Sequence, residues 1–381
     1  MNRNLEKIAI SGIRRIHEKA IKVPEAINMT IGEPDFNVPI EIKEAMIRSI
    51  EENKTRYTSN IGLEELRKEI SLFLKNKNIY FDTDEICITV GGSEGIFAAL
   101  ETLLEKGDSV IVPTPNYPAY SNTIKILGGE VLTTPLKEDL SLDIKAIEDT
   151  IKSKKPKLLV VSYPNNPTGK VLDKNTWQKL CEVVEQNDIM VISDEMYSSI
   201  CFEEYYSIAQ KKDILDKIIL IGGFSKMFSM TGLRTGFVCA KRNIIKEFVK
   251  VHQNAVSCAP SIAQWGALEG LKKCKYHIAY INEELLKRRD YICERLIGLG
   301  FNVIKPSGAF YIFPDIKKFK MSSEDFCDKM LYEAKVAAVP GTAFGLGGEG
   351  YIRMSYCCSL SVIEEAMDRI EALIYKISNQ K

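Results

Sequence analysis

The chain carries no charge excess of either sign: 51 lysines and arginines equal 51 aspartates and glutamates, so its formal net charge is zero. Partnership with nucleic acid or with an anionic membrane needs a basic surplus on some face, and this balance favours neither. No apolar run approaches the length of a membrane span. The first residues, MNRNLEKIAISGIRRIHEKA, mix charge with apolar positions and lack the uninterrupted apolar core of a signal peptide. Ten cysteines include no C-x-x-C pair, and two of them, Cys357 and Cys358, are adjacent. That usage fits reduced thiols better than a disulfide or zinc framework, so no metal site and a cytoplasmic location are expected. Internal repeats, low-complexity tracts and linkers are missing, as is any G-x-x-x-x-G-K-[ST] nucleotide loop.

What is present is an ordinary globular composition, 45% hydrophobic and 27% charged over 381 residues, enough for more than one domain. Residues 5–20 read as an amphipathic helix, Ile27 to Phe36 as a short strand entering a turn, and residues 39–52 as a helix. Between residues 85 and 240 six apolar strand candidates alternate with helices, which argues for a largely parallel sheet covered on both faces. From Arg242 onward the pattern turns helical, with a long helix over 276–299. FNVIKPSGAFYIFPDI reads as paired strands, 322–334 as a helix, KVAAVPG and EGYIRMSYC as strands, and a last helix runs to about 376.

Ligands of parallel sheets bind outside the carboxyl ends of the strands. Gly92, Ser93, Tyr117, Asn166, Asp194 and Lys226 all fall just after predicted strands. Lys226 follows the apolar run KIILIGGF, where burial and neighbouring cations disfavour the ammonium and leave a nucleophilic amine. Arg234 lies between Gly232 and Gly236, which allow close approach to its backbone. The turn GGSEG opens a helix at Ser93 and makes an anion site from free N–H groups and the helix dipole, although Ser93 is equally readable as an N-cap. Tyr117 can stack on a flat ring or pack in the core, with Tyr120 beside it at i+3. Asn166 is a phenolate donor or a turn residue before proline; Asp194 is the partner of a protonated ring nitrogen or a helix cap. Gly32 suits a carboxylate or a turn, and Arg353 a bidentate carboxylate clamp or a structural ion pair.

The run S-K-x-F-x-M-x-G-x-R-x-G-F, Ser225 to Phe237, resembles the lysine motif of class I aminotransferases, and G-E-P-D-F and N-P-T-G resemble other segments of that family. The resemblance covers nearly the whole chain. It implies the fold-type I architecture of enzymes that use pyridoxal 5'-phosphate (PLP), an α/β fold with a mainly parallel central sheet and a smaller α+β domain. The large domain is expected at 46–284, and the small one at 1–45 with 285–381. Lys226 would carry PLP as a Schiff base. Its phosphate would lie among Gly92, Ser93, Glu94, Ser225 and Arg234, its ring against Tyr117, Asn166, Asp194 and Tyr197, and the substrate against Gly32, Asn166 and Arg353. Tyr57 would reach the phosphate of the neighbouring subunit, which makes a homodimer part of the expectation. Tyr311, in the segment FNVIKPSGAFYIFPDI, is a further candidate for the pocket. One departure stands out: many relatives have serine or threonine three residues before the lysine, where this chain has Gly223.

The implied activity is transfer of an amino group from an L-amino acid to a 2-oxo acid with ping-pong kinetics, in a subgroup with aspartate, aromatic and N-acetyl-diaminopimelate aminotransferases. A PLP-dependent carbon–sulfur β-lyase would use the same residues. A non-catalytic PLP-binding regulator would need a DNA-binding segment ahead of the first motif, where only about 30 residues stand.

Overall fold

Alternate side chains of the central strands serve two different cores. On Leu158–Ser162, Leu159 and Val161 join one apolar cluster while Leu158 and Val160 join another. On Ile218–Gly223, Ile218 and Leu220 go to the first and Ile219 and Ile221 to the second. A strand buried on both faces needs an unbroken apolar run, which is why these segments read as continuous rather than alternating.

The computed structural model describes residues 3–8 and 11–379. Its strands are β1 (Ile27–Asn28), β2 (Ile86–Thr89), β3 (Ser109–Thr114), β4 (Glu130–Pro135), β5 (Leu158–Ser162), β6 (Met190–Asp194), β7 (Ile218–Gly223), β8 (Gly236–Cys239), β9 (Tyr311–Ile312), β10 (Val336–Ala337), β11 (Val339–Pro340) and β12 (Ile352–Ser355). The central sheet has seven strands in the order β2-β8-β7-β6-β5-β3-β4. Only β8 runs against its neighbours, β2 and β7. The carboxyl ends of β2, β3, β5, β6 and β7 therefore share one rim, and the residues just before β8 arrive at that same rim. Helices Gly91–Leu103, Ala119–Ile126 and Arg242–Val256 cover one face. Helices Glu64–Lys75, Ile144–Lys154, Lys174–Gln186 and Ser261–Lys273 cover the other. The fold is α/β with a mostly parallel central sheet.

β4 is the strand that the sequence reading passes over. It lies at the sheet edge with most of its side chains partly or fully exposed, so EVLTTP has no continuous apolar signal.

A further core gathers the long helix Lys275–Gly298, the last helix Leu360–Asn379 and the short strands β9 to β12. Here two expectations change. FNVIKPSGAFYIFPDI forms only the two-residue strand β9, because Pro306 and Pro314 interrupt any ladder on either side. KVAAVPG divides into β10, parallel to β1, and β11, antiparallel to β12, so one segment joins two small sheets. At the N-terminus the helix expected over 5–20 is a 3-10 turn at Arg3–Lys7 and a helix at Gly12–Ile21; residues 9 and 10 of that expectation lie outside the described residues. Among the described residues no helix is long and apolar enough to cross a membrane.

Candidate active site

At the shared rim a cavity of about 560 Å³ opens. Gly32, Gly92, Ser93, Tyr117, Asn166, Asp194, Tyr197, Ser225, Lys226, Arg234, Tyr311 and Arg353 all line it. The structure thus brings together residues separated by more than 300 positions, because β12 delivers Arg353 from the core of the last helices while β7 delivers Lys226 from the central sheet.

Lys226 sits in the one-turn helix Phe224–Met227 directly after β7. Its Nζ donates to the carbonyl of Gly32 at 2.6 Å. Burial, helped by the like charges of Arg234 and Arg353, pulls its pKa down to about 8. Arg234 takes the left-handed conformation with φ of 51°, and its guanidinium lies over Gly91, where an added Cβ would come within 2.6 Å of Nη2. Gly236 is needed for a similar reason: its own Cβ would meet the backbone of Gly91 at 2.8 Å. Gly232 is different from the expectation, since a Cβ there meets open space.

The helix after β2 begins at Gly91, two residues earlier than the sequence suggests, and Val90 stands at its N-cap with no side-chain capping bond. Ser93 is therefore inside the first turn rather than a cap. Uncapped N–H groups, the Ser93 and Ser225 hydroxyls and the Arg234 guanidinium converge on the cavity, an arrangement suited to a multiply charged anion. Glu94 does not line this cavity. Its carboxylate turns back to accept from Val90 N at 3.1 Å and to meet His252 Nδ1 at 3.1 Å, which keeps a negative charge off the anion site.

Asp194 ends β6, buried, accepting from the Tyr120 hydroxyl at 2.6 Å and from Met196 N at 3.0 Å. It has no cationic partner among the described residues, and burial raises its carboxyl above the usual range. Such a carboxylate is suited to a cationic ligand atom. Tyr120 is thus the residue that fixes Asp194, a role which its i+3 spacing from Tyr117 left unassigned; the two rings meet edge to face at 5.7 Å.

Arg353 is 1% exposed, yet no carboxylate among the described residues pairs with it. Nη1 donates to Asn166 Oδ1 at 2.8 Å, Nη2 donates to the Thr30 carbonyl, and Nε has no partner. The rings of Tyr311 and Phe344 lie 4.5 and 4.8 Å from its Cζ. The structural ion pair is thereby replaced by a cage of neutral acceptors and aromatic rings around an uncompensated charge. Because Asn166 Oδ1 faces Arg353, its amide nitrogen is the group left to donate into the cavity. Tyr197 and Tyr311 join hydroxyls at 2.7 Å. Tyr57 is 87% exposed and does not line this chain's cavity.

Gly223 also has a local reason. A Cβ there would meet Met196 Cε at 2.8 Å, and one on Gly92 would meet the same atom at 2.4 Å. The Met196 thioether fills the space that a side chain at Gly223 would need.

A rim cavity lined by a buried lysine, anion-binding groups, a buried lone carboxylate and a buried lone guanidinium is suited to group-transfer chemistry on an anionic ligand. The model of the family "Aminotransferase class I and II" matches residues 24–370, and the chain belongs to that family. It is 41% identical to a probable N-acetyl-LL-diaminopimelate aminotransferase of Bacillus subtilis, over 99% of this chain and 96% of that protein. It is 38% identical to an aspartate aminotransferase of Pyrococcus horikoshii, over 95% of this chain and 94% of that one. A solved aspartate aminotransferase from Thermus thermophilus with maleate superposes with a TM-score of 0.93 at 30% identity, covering 98% of this chain and 99% of the other. The protein is a transaminase, and these relatives do not favour the β-lyase alternative.

Proposed function

We propose that this transaminase holds PLP through Lys226 and moves the amino group of an L-amino acid to a 2-oxo acid. The observation that carries this reading is the pair of buried side chains without an ionic partner among the described residues, Asp194 and Arg353, lining the same cavity as a lysine whose pKa is drawn down to about 8. The residues fit the cofactor: an anion cradle at Gly92, Ser93, Ser225 and Arg234 for its phosphate, Asp194 for a protonated ring nitrogen, and Asn166 and Tyr197 as donors to its ring oxygen. When bound, PLP supplies a carbonyl that captures amines and a ring that accepts the electrons released at the α-carbon.

The chain's own groups do the rest. Arg353 takes the substrate α-carboxylate, supported by the Gly32 backbone, and so orients the α C–H bond. Lys226 Nζ is the group that would take the α-proton as general base and give it back as general acid. Asp194, fixed by Tyr120, would hold a protonated ring nitrogen, and Tyr117 would lie against the ring and limit its tilt. We also infer a homodimer in which Tyr57, exposed here, reaches the partner's phosphate site, and a large unit over 46–284 that carries the cofactor.

The test is a half-reaction panel on the loaded protein, with one amino acid at a time and the absorbance of the bound cofactor as readout. A suitable donor converts the spectrum without any oxo acid present, and Lys226→Ala abolishes turnover. Normal turnover by that variant rejects the reading.

A further inference from the structure

The proposed function gives tasks to Tyr197 and Arg353 and leaves unused the residue that touches both of them. Tyr311 lies on β9, which pairs with β12, the strand of Arg353, with Tyr311 opposite Ser355. Its side chain is buried and lines the cavity. Arg353 Cζ stands 4.5 Å from the centre of its ring. At the far end its hydroxyl meets the Tyr197 hydroxyl at 2.7 Å, the one hydrogen bond that this hydroxyl makes among the described residues. Gly32 closes another side, since a Cβ there would come within 1.7 Å of the same oxygen. The Tyr197 and Tyr311 rings meet edge to face with centroids 5.6 Å apart, and Phe310 meets Tyr197 in the same way at 5.4 Å. Both phenols are thus held in place before any ligand arrives.

Two phenols in contact carry two protons and share one hydrogen bond, so one proton is left for a third atom. Which proton is left depends on which oxygen accepts. Burial raises both groups, Tyr197 the further of the two. At Tyr311 the strongest opposing influence is the Arg353 charge over its ring, whereas Tyr197 also meets the opposing charge of Asp194. Tyr311 is therefore the more acidic phenol and the better donor. Its proton goes to the Tyr197 oxygen, and the Tyr197 proton is turned toward the cavity. A hydroxyl that accepts one hydrogen bond gives a stronger one in turn, by roughly 10–30%.

Resting on the assignment of Tyr197 to the cofactor's ring oxygen, we propose that Tyr311 is a positioning residue that acts through Tyr197: it donates to the Tyr197 hydroxyl, aims the Tyr197 proton at the ring oxygen and strengthens that bond. One side chain then holds both the ring-oxygen donor and, through its ring, the guanidinium assigned to the α-carboxylate.

The experiment uses the PLP-loaded full chain with Tyr311→Phe, Tyr197→Phe and the double variant, and reads the pH at which the absorbance of the bound cofactor changes. Both substitutions keep the ring and its edge-to-face contact. A donor to the ring oxygen favours the form in which that oxygen is charged and shares no other proton, so a weaker donor moves the change to higher pH. Tyr311→Phe should move it up by roughly 0.2–0.7 pH unit, a roughly 1.5- to 5-fold change in proton affinity, and Tyr197→Phe should move it further. The double variant should change at the same pH as Tyr197→Phe, because Tyr311 has no second group to act through. A role in packing alone would leave the pH of the change where it is. A second arm unfolds the cofactor-free proteins in urea, where the midpoint shift of the double variant should be smaller than the sum of the single shifts. An unmoved change in Tyr311→Phe, a double variant displaced by the sum of the two single displacements, or additive urea midpoints overturns the proposal and leaves the proposed function standing. A wild type that shows no cofactor absorbance dependent on Lys226 overturns the proposed function itself, and the role of Tyr311 with it.

Discussion

Lys226 should react as an amine far below the pH at which a lysine ordinarily does. Its folded pKa of about 8 lies under the ordinary value of 10.5, with burial as the largest cause and the Arg234 and Arg353 charges adding to it. At pH 7 about one molecule in ten then carries the neutral amine, against roughly one in three thousand for an ordinary lysine, a gain on the order of a few hundred-fold. The assay is the rate at which cofactor-free protein is modified at Lys226 by an amine reagent such as trinitrobenzenesulfonate, read by peptide mass across pH 6 to 11. The rate should reach half its plateau at about 8. The same shift has a stability consequence. Because the folded state holds the proton less tightly than the unfolded chain, this group's contribution to stability grows as pH rises from about 8 to 10.5, and is lost as pH falls through 8. A half-point at or above 10 would refute the claim that the site desolvates this amine.

Two further substitutions test the cage around the site. Tyr120→Phe removes one of the two donors that Asp194 has in the structure, and should cost about 1.5–3 kcal/mol in urea unfolding near neutral pH, since the bond serves a buried charge. Asp194 is raised by burial, so the cost should shrink as pH falls and the carboxyl protonates; a cost that stays constant across the whole acid titration would mean that the ring matters only for packing. Gly32→Ala places a Cβ 1.7 Å from the Tyr311 hydroxyl and should destabilise by about 1–3 kcal/mol through overpacking. Tyr311→Phe combined with it should restore much of that loss, and strict additivity of the two would count against the contact.

The central sheet was legible because its strands are buried on both faces, and the rim clustering of Gly92, Ser93, Tyr117, Asn166, Asp194 and Lys226 followed from strand ends alone. What escaped has physical reasons. β4 is an edge strand with little to bury. The start of the helix after β2 was placed late because Gly91 and Gly92 look like a turn, yet both lie within the first helical turn. Glu94 belongs to GGSEG by sequence, whereas its carboxylate accepts from Val90 N and meets His252 Nδ1 instead of lining the cavity. Tyr120 carries no local motif, and it acquires its meaning only from Asp194, 74 positions away in the chain.

The way the charges are held explains how the site tolerates them. A buried Arg353 with no counter-ion would be costly if it were surrounded by apolar carbon alone. Here two neutral oxygens, from Asn166 and Thr30, and the faces of Tyr311 and Phe344 take its field, while Nε remains without a bond. Asp194 is treated in the same manner, by a phenol and a backbone N–H rather than by a cation. Had either been neutralised by an opposite charge of the protein, a ligand would first have to break that pair. Neutral cages keep both side chains rigid and leave their charge available, so anything that supplies a carboxylate to one and a protonated ring to the other gains the interaction without a competing ion pair to displace.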